Sequence, residues 1–200
     1  MYKIITLLLL SFGFGFMSND AGEKLLGGLQ DKFNKITNLS AEFKQTTNGK
    51  AAMNGKFFFK KEDKFRIELK NSTLVSDGTT NWSYNQKENK VIISSNNGSN
   101  ASPFSLRKIV YEYPKECAIG SETIDGREVL LLTPNENSEI GYALVKIWIN
   151  KENLIERIVL KDKAGNIIQI DFSKYKINQK LNDDKFNFTP PEGSKIIDLR

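Results

Sequence analysis

Few side chains in this sequence are arranged for catalysis. Ser76 and Asp77 stand side by side in the stretch LVSDG, and Asp183 and Asp184 form an adjacent acidic pair. The chain contains no histidine, so the commonest general base and the commonest transition-metal ligand are both missing. Asp77 precedes Gly78, and Asp-Gly is a strong hairpin-turn signal. These residues therefore predict turns, and they predict no catalytic site, no metal site and no cofactor.

The length and the N-terminus indicate one exported domain. A chain of 200 residues suits a single domain. The apolar run from Ile4 to Phe16 follows a lysine and is too short to span a bilayer, which is typical of a secretory signal. We predict a signal peptide over residues 1–21, cleaved within residues 15–21, and a single domain over residues 22–200. A retained N-terminal anchor is the alternative interpretation.

The net charge narrows the class of partner that the protein could bind. Lys and Arg outnumber Asp and Glu by 29 to 24, a net charge of +5. An exported protein seldom meets nucleic acid, so we expect an anionic membrane surface or an acidic partner.

Cys117 is the only cysteine, so no internal disulfide can form, and we expect its side chain to be buried.

Two hydrophobic periods define the elements that would position these residues. Leu29, Phe33 and Ile36 recur at three- and four-residue spacing, which predicts an amphipathic helix. From Ser40 onward the period changes to two, and about eleven short segments separated by Gly, Asn or Asp predict strands. A second helical pattern over residues 103–113 begins with a proline. The pattern predicts an antiparallel barrel or sandwich interrupted by two helices.

Aromatic side chains exceed what a thin sheet needs for its core. The chain has thirteen Phe, two Trp and six Tyr, and the triplet Phe57–Phe59 cannot face one way because neighbours on a strand alternate. A concave apolar sheet face with two amphipathic helices describes a pocket with a lid, suited to lipid or hydrophobic peptide. A tightly packed core of the same composition is the alternative, and periodicity does not choose between them.

Five segments in a fixed order carry a family resemblance. They are LSAEFKQT (39–46), GKFFFKK (55–61), LVSDGTTNWSYN (74–85), SPFSL (102–106) and KFNFTPPEG (185–193). With them the sequence resembles the LolA family of periplasmic outer-membrane lipoprotein carrier proteins, from about residue 23 to the C-terminus. The resemblance implies a mainly β fold: an incomplete antiparallel β-barrel of about eleven strands, with two or three short helices forming a lid over an apolar cavity.

The same resemblance implies a function without catalysis. A monomeric carrier in the periplasm of a diderm bacterium would receive triacylated lipoproteins from an inner-membrane ABC-type release complex. It would pass them to an outer-membrane lipoprotein receptor, with no nucleic acid involved. A related half-barrel that senses lipid or peptide and regulates a membrane partner is the alternative, and a Ser/Lys hydrolase is a third interpretation.

The helical stripe and the resemblance together assign candidate site residues. The lipid-binding cavity and lid would comprise Leu29, Phe33, Ile36, Phe58, Phe65, Phe104 and Leu106. Where the family usually has Arg-Pro, this chain has Lys61-Glu62. The family's arginine is held to latch the lid by hydrogen bonds to lid backbone, so Lys61 is the latch candidate. A lysine keeps the charge but lacks the planar fork of arginine.

Overall fold

The structure is a computed structural model that describes residues 19–95 and 105–200. In these residues the chain forms twelve strands: β1 (Asn38–Thr47), β2 (Lys50–Lys60), β3 (Lys64–Glu68), β4 (Ser72–Ser76), β5 (Thr80–Asn85), β6 (Lys90–Ser95), β7 (Cys117–Ile124), β8 (Arg127–Pro134), β9 (Tyr142–Ile149), β10 (Ile155–Asp162), β11 (Ile167–Ile177) and β12 (Lys195–Asp198). The first eleven match the segments predicted from the two-residue period, which confirms the mainly β fold. The twelfth follows the proline-containing tail and adds to the predicted set.

The described residues form helical segments at three places, one before the first strand and two between strands. The first, α1, spans Asn19–Lys35. Between β6 and β7 lies a second helical segment, a π-helical turn over Lys108–Glu112 followed by a 3-10 turn over Tyr113–Glu116. A further 3-10 turn, Asp183–Phe186, lies in the C-terminal tail. None of the helices in the described ranges is long and apolar enough to cross a membrane.

The predicted signal peptide lies mostly outside the described residues, which begin at residue 19. Because α1 begins at Asn19, the predicted cleavage range of residues 15–21 overlaps the first turn of this helix. The cleavage site and the division of the chain at residue 21 stay predictions.

All twelve strands belong to one open sheet. Their order is β12-β6-β5-β4-β3-β2-β1-β11-β10-β9-β8-β7, so strands from the two ends of the chain meet at the centre. Neighbouring strands are antiparallel, except that β12 runs parallel to β6. The edges, β7 and β12, do not pair with each other, so the sheet does not close into a barrel.

The face of the sheet that α1 covers is called the inner face here. Along β1, Leu39, Ala41 and Phe43 are buried, and the residues between them are more exposed. This alternation follows from the pleat of a strand, which points successive side chains to opposite faces. The buried set joins the apolar side of α1 in one core cluster. The main core therefore lies between the inner face and the helices.

The start of α1 lies against the edge strand β7. A Cβ added to Gly22 would come within 2.5 Å of the Gly120 carbonyl group, so only glycine permits this approach of helix to strand. The helix also contacts β8 and the second helical segment. At its other end it passes through Ile36 directly into β1. The helix is thus positioned at both ends over the inner face.

The outer face is buried in a different region, on β4 to β6. Val75, Val91 and Ile93 are buried although they belong to no part of the inner core cluster. The C-terminal tail supplies their cover: Phe186 is 1% exposed, and the ring of Phe188 lies 5.7 Å from that of Tyr84. The segment KFNFTPPEG is therefore a structural part of the sheet's outer side.

Candidate functional site

The apolar side of α1 and the inner face of the sheet form the candidate site. Leu29 is fully buried, and Phe33 and Ile36 are 5% and 1% exposed. The ring of Phe33 lies 5.7 Å from that of Phe59, at an interplanar angle of 54°, a favourable tilted arrangement. Helix and sheet therefore meet through apolar side chains along the middle of α1.

The structure brings most of the predicted site residues together. Leu29, Phe33 and Ile36 belong to the inner core cluster, as does Leu106, which precedes the second helical segment and is 2% exposed. Phe65 on β3 is half-buried and packs against this cluster. Phe104 lies outside the described residues.

Phe58 is the exception, and its assignment to the cavity is corrected. Strand β2 alternates, so Phe57 and Phe59 point to the inner face and Phe58 points to the outer face. There the ammonium group of Lys185 lies 3.8 Å from the centre of the Phe58 ring. Phe58 is paired with Arg66 in the register of β2 and β3. It contributes to the contact with the C-terminal tail.

Phe57 and Phe59 take the place that the sequence prediction gave to Phe58. They are 0% and 7% exposed, and Phe57 also contacts the ring of Phe172 at 6.1 Å. The signal was present in the sequence, because the first and third residues of a triplet on a strand share a face. Only the choice of face was missing from the sequence pattern.

Polar side chains join the two helical segments to each other. Gln30 donates from Nε2 to the carbonyl oxygen of Val110 at 3.0 Å. The hydroxyl of Tyr111 donates to Oδ1 of Asn34 at 2.7 Å and approaches the carbonyl oxygen of Gln30 at 3.3 Å. Burial raises the pKa of Tyr111, so this hydroxyl stays protonated and remains a donor. No sequence signal marks these pairs, because about eighty residues separate the partners.

The turn between β2 and β3 contacts both helical segments. Lys61 donates from Nζ to the carbonyl oxygen of Asn34, in the last turn of α1, at 3.0 Å. Two residues later, Asp63 forms an ion pair with Arg107 at 3.3 Å. Burial raises the pKa of Asp63 and the guanidinium of Arg107 opposes that rise. The predicted latch residue thus does reach the backbone of the helix.

Arg66 does not compete for this position. Its Nε donates to Glu68 at 2.8 Å on the outer face, and its guanidinium also faces the carbonyl oxygen of Lys185 at 3.4 Å. The fork of Arg66 is therefore engaged with the tail, on the side of the sheet away from α1.

The LVSDG turn supports the turn that carries Lys61. Gly78 has φ +99°, and a Cβ there would come within 2.4 Å of the carbonyl oxygen of Glu62. Oδ1 of Asp77 accepts hydrogen bonds from the backbone N–H groups of Thr79 and Thr80 at 2.8 Å. Burial acts to raise the pKa of Asp77, but these hydrogen bonds outweigh it and the pKa is lowered. The Ser-Asp pair is thus a turn with a positioning role.

The described residues contain no metal-binding cluster. No group of three or more Cys, Asp or Glu side chains in the described ranges could hold a metal ion. Cys117 is buried at the edge of the inner core cluster, as expected, and burial raises its pKa to about 11. A thiol with such a pKa is mostly protonated at neutral pH and is a poor nucleophile.

The fold is an open, mainly antiparallel sheet whose apolar inner face is covered by helical segments, an arrangement suited to a binding protein for apolar ligands. The chain belongs to the LolA family: the family model described as outer membrane lipoprotein carrier protein LolA matches residues 34–189. The matched range runs from the end of α1 through β11 into the C-terminal tail. The resemblance drawn from the five sequence segments is confirmed.

Known relatives agree with this family. An outer-membrane lipoprotein carrier protein of Neisseria meningitidis is 29% identical over 82% of this chain and 82% of the relative. The carrier protein of Nitrosomonas europaea is 25% identical over 82% of this chain and 84% of the relative. An uncharacterised protein of Methanocaldococcus jannaschii is 29% identical over 98% of this chain, but the match spans only 60% of that relative's length.

Two solved structures share the fold at low sequence identity. A conserved protein of Thermus thermophilus superposes with a TM-score of 0.58 at 13% identity, over 88% of this chain and 98% of the other. A DUF1329 family protein of Desulfovibrio piger gives a TM-score of 0.51 at 18% identity, over 84% and 96% of the two chains. At such identities the likeness concerns the fold alone.

Proposed function

We propose that this protein is a non-enzymatic carrier that binds the acyl chains of lipoproteins between α1 and the inner face of the sheet. The observation that carries the proposal is the way α1 is attached. Along its middle it contacts the sheet through apolar side chains. Near its C-terminal end it is joined by a few polar bonds: Gln30 donates to the second helical segment, and Asn34 accepts from Tyr111 and Lys61. Such a helix can lift without breaking the sheet.

The energetics suit uptake followed by release. Burying an acyl chain gains about 0.8 kcal/mol per CH₂ group, so the chain will not leave a protein for water unaided. In the closed protein, Leu29 and Phe33 occupy the apolar surface that the acyl chain would take. Exchange replaces one apolar contact by another, so the net affinity is a small difference and permits transfer. Gly27 and Gly28 each weaken the helix by about 1 kcal/mol relative to Ala, which favours opening.

The proposed partners follow from the family and from the N-terminal sequence. The apolar run at residues 4–16 supports export, and the family name supports lipoprotein cargo. We place the protein in the periplasm of a diderm bacterium as a monomer. It would take triacylated lipoproteins from an inner-membrane ABC-type release complex and deliver them to an outer-membrane lipoprotein receptor.

Co-expression with a lipoprotein tests the proposal. The exported protein should form a complex, seen by native mass spectrometry, with the acylated form of one lipoprotein and not with its non-acylated form. Equal capture of both forms would rule out recognition of the acyl chains.

A substitution in α1 tests the binding region. Phe33→Glu places a charge in the apolar contact between helix and sheet, so we expect complex formation to fall at least about tenfold. Lys24→Glu is the matched control, because Lys24 is exposed on the same helix. If Phe33→Glu captures lipoprotein as well as the control does, α1 is not part of the binding region.

A further inference from the structure

The outer face of the central strands carries an excess of positive charge. On β1, β2, β9, β10 and β11 the side chains that alternate with the buried ones point away from α1. The cationic residues of this outer set, called the basic outer face, are Lys44, Lys56, Lys146, Arg157, Lys161, Lys174 and Lys176. Their spacing across five adjacent strands makes one broad surface.

Acidic residues neutralise only part of the positive charge on the basic outer face. Glu42 pairs with Lys174 at 2.9 Å, and Asp171 pairs with Arg157 at 2.5 Å. Glu122, which reaches in from β7, pairs with Lys146 at 2.6 Å.

The four other cations of the basic outer face have no ion pair among the described residues. They are Lys44, Lys56, Lys161 and Lys176, and all four are exposed. The surface therefore keeps a net positive charge after its internal pairs are formed.

The neighbourhood of Glu42 shows how closely the lysines converge. The hydrogen bond from Lys174 holds the pKa of Glu42 below its usual value against the opposing effect of burial, and the charges of Lys56 and Lys44 add to the lowering. Lys174 lies at an irregularity between β1 and β11, with φ +53°, and its side chain is 71% exposed. A bulge redirects a side chain, and here it adds a cation to the outer face.

The helix on the opposite side carries no such excess. The sequence of α1 contains Asp20, Glu23 and Asp31 against three lysines, so its charges balance. The positive excess of the basic outer face thus has no counterpart on α1.

We propose that the basic outer face docks the protein on an anionic phospholipid surface. The four cations without ion pairs are all lysines and lie on four adjacent strands, β2, β1, β11 and β10, at different positions along them. Mobile ammonium groups spread over a broad surface suit many exchangeable phosphates. A site for a single carboxylate on a protein partner is better served by the planar fork of arginine.

Docking in this orientation leaves α1 and the second helical segment facing away from the lipid surface. The helices remain free to move while the protein stays near the membrane. The inference concerns where the protein resides, and it holds whether or not the cargo is a lipoprotein.

Vesicle sedimentation tests the docking surface with the exported protein. It should bind vesicles of phosphatidylcholine with added phosphatidylglycerol and should not bind vesicles of phosphatidylcholine alone. Binding should weaken steeply as salt is raised, because the Debye length falls below about 10 Å above 0.1 M. Each lysine near an anionic surface contributes about fivefold in partitioning, so replacing Lys44, Lys56, Lys161 and Lys176 together by Gln should reduce binding by at least about a hundredfold.

A second quadruple variant distinguishes binding through the basic outer face from binding that depends only on the net charge of the protein. Lys24, Lys70, Lys87 and Lys115 are exposed, lie off the basic outer face and form no ion pair among the described residues, and their replacement by Gln removes the same charge. This variant should keep most of the binding. Equal loss in both variants, unchanged binding in the first, or binding of polyglutamate without binding of anionic vesicles would each overturn the proposal. Circular dichroism checks that both variants fold.

Discussion

The sheet is buried on opposite faces in two regions, and the two covers are built differently. On β1, β2 and β7 to β11 the inner face lies under α1 and the second helical segment; we call this the helix-covered face. On β3 to β6 the outer face lies under the C-terminal tail; we call this the tail-covered face. Both covers bring phenylalanines onto the sheet, Phe33 from the helix and Phe186 from the tail.

The two covers differ in how they are attached to the sheet, and this difference bears on whether each can open separately from it. The tail becomes part of the sheet, since β12 pairs with β6 and the backbone N–H of Leu199 donates to Ile93 at 2.9 Å. Near the tail's 3-10 turn, Lys60 forms an ion pair with Asp183. Toward its C-terminal end α1 is instead held by side-chain bonds from Lys61, Gln30 and Tyr111. We therefore expect the cover held by side chains to open by itself, whereas the cover hydrogen-bonded into the sheet should open only when the sheet does.

The largest expected effect is on the tail-covered face. Phe186→Ala removes a ring that is 1% exposed, so we expect the free energy of unfolding to fall by about 3–5 kcal/mol. Urea unfolding followed by fluorescence measures this loss. Phe188→Ala is the matched control, because Phe188 is only half-buried and its removal should cost less.

The same variant tests whether the two covers open independently of each other. Alkylation of Cys117 under native conditions reports opening over the helix-covered face, where that thiol is buried. Phe186→Ala should leave the alkylation rate close to that of the wild type at low urea. A large acceleration there would show that the tail and the helix open together, and the distinction between the covers would be lost.

An effect of intermediate size, a loss in the free energy of unfolding, is expected at alkaline pH. Burial raises the pKa of Cys117 from 9.0 to about 11, so the folded protein holds the thiol proton while the unfolded chain loses it. This contribution to stability is complete below pH 9 and is lost as the pH rises toward 11. At about pH 10 the loss should reach about 1.4 kcal/mol, one pKa unit.

Cys117→Ala separates the contribution of the Cys117 thiol to this pH dependence from the contributions of other titrating groups. Burial also raises the pKa of Tyr113, to about 12, so tyrosines add to the decline at higher pH. Between pH 8 and 10 the stability of the Ala variant should decline less than that of the wild type. Parallel declines of the two proteins would mean that the thiol does not titrate with folding.

The smallest expected effect concerns Lys61. Its bond to the carbonyl oxygen of Asn34 is exposed, so we expect a contribution of about 1 kcal/mol to the closed state. Lys61→Leu should speed the uptake of a fluorescent apolar probe, because α1 is released more often. Lys61→Arg should slow it, since a guanidinium can donate two parallel hydrogen bonds. Indistinguishable uptake rates in the three proteins would make Lys61 an ordinary surface charge.

Local patterns in the sequence determined the elements and the family. The two-residue period placed all eleven antiparallel strands, and the stripe of Leu29, Phe33 and Ile36 identified both the helix and the side it buries. These predictions succeed because side-chain direction along a helix or strand is fixed by backbone geometry over a few residues. The Asp77-Gly78 turn could be predicted because it too depends on backbone geometry over a few residues.

Contacts between segments that are far apart in the chain set the direction and the partner of several side chains and strands. They directed Phe58 to the outer face and Phe57 and Phe59 to the helix, brought Lys61 to the end of α1, and paired β12 in parallel with β6. Each of these depends on how distant segments meet, and a strand pattern is unchanged when its two faces are exchanged. Periodicity therefore fixed which residues share a side, and only the packing of helix and tail onto the sheet determined which side lies under α1.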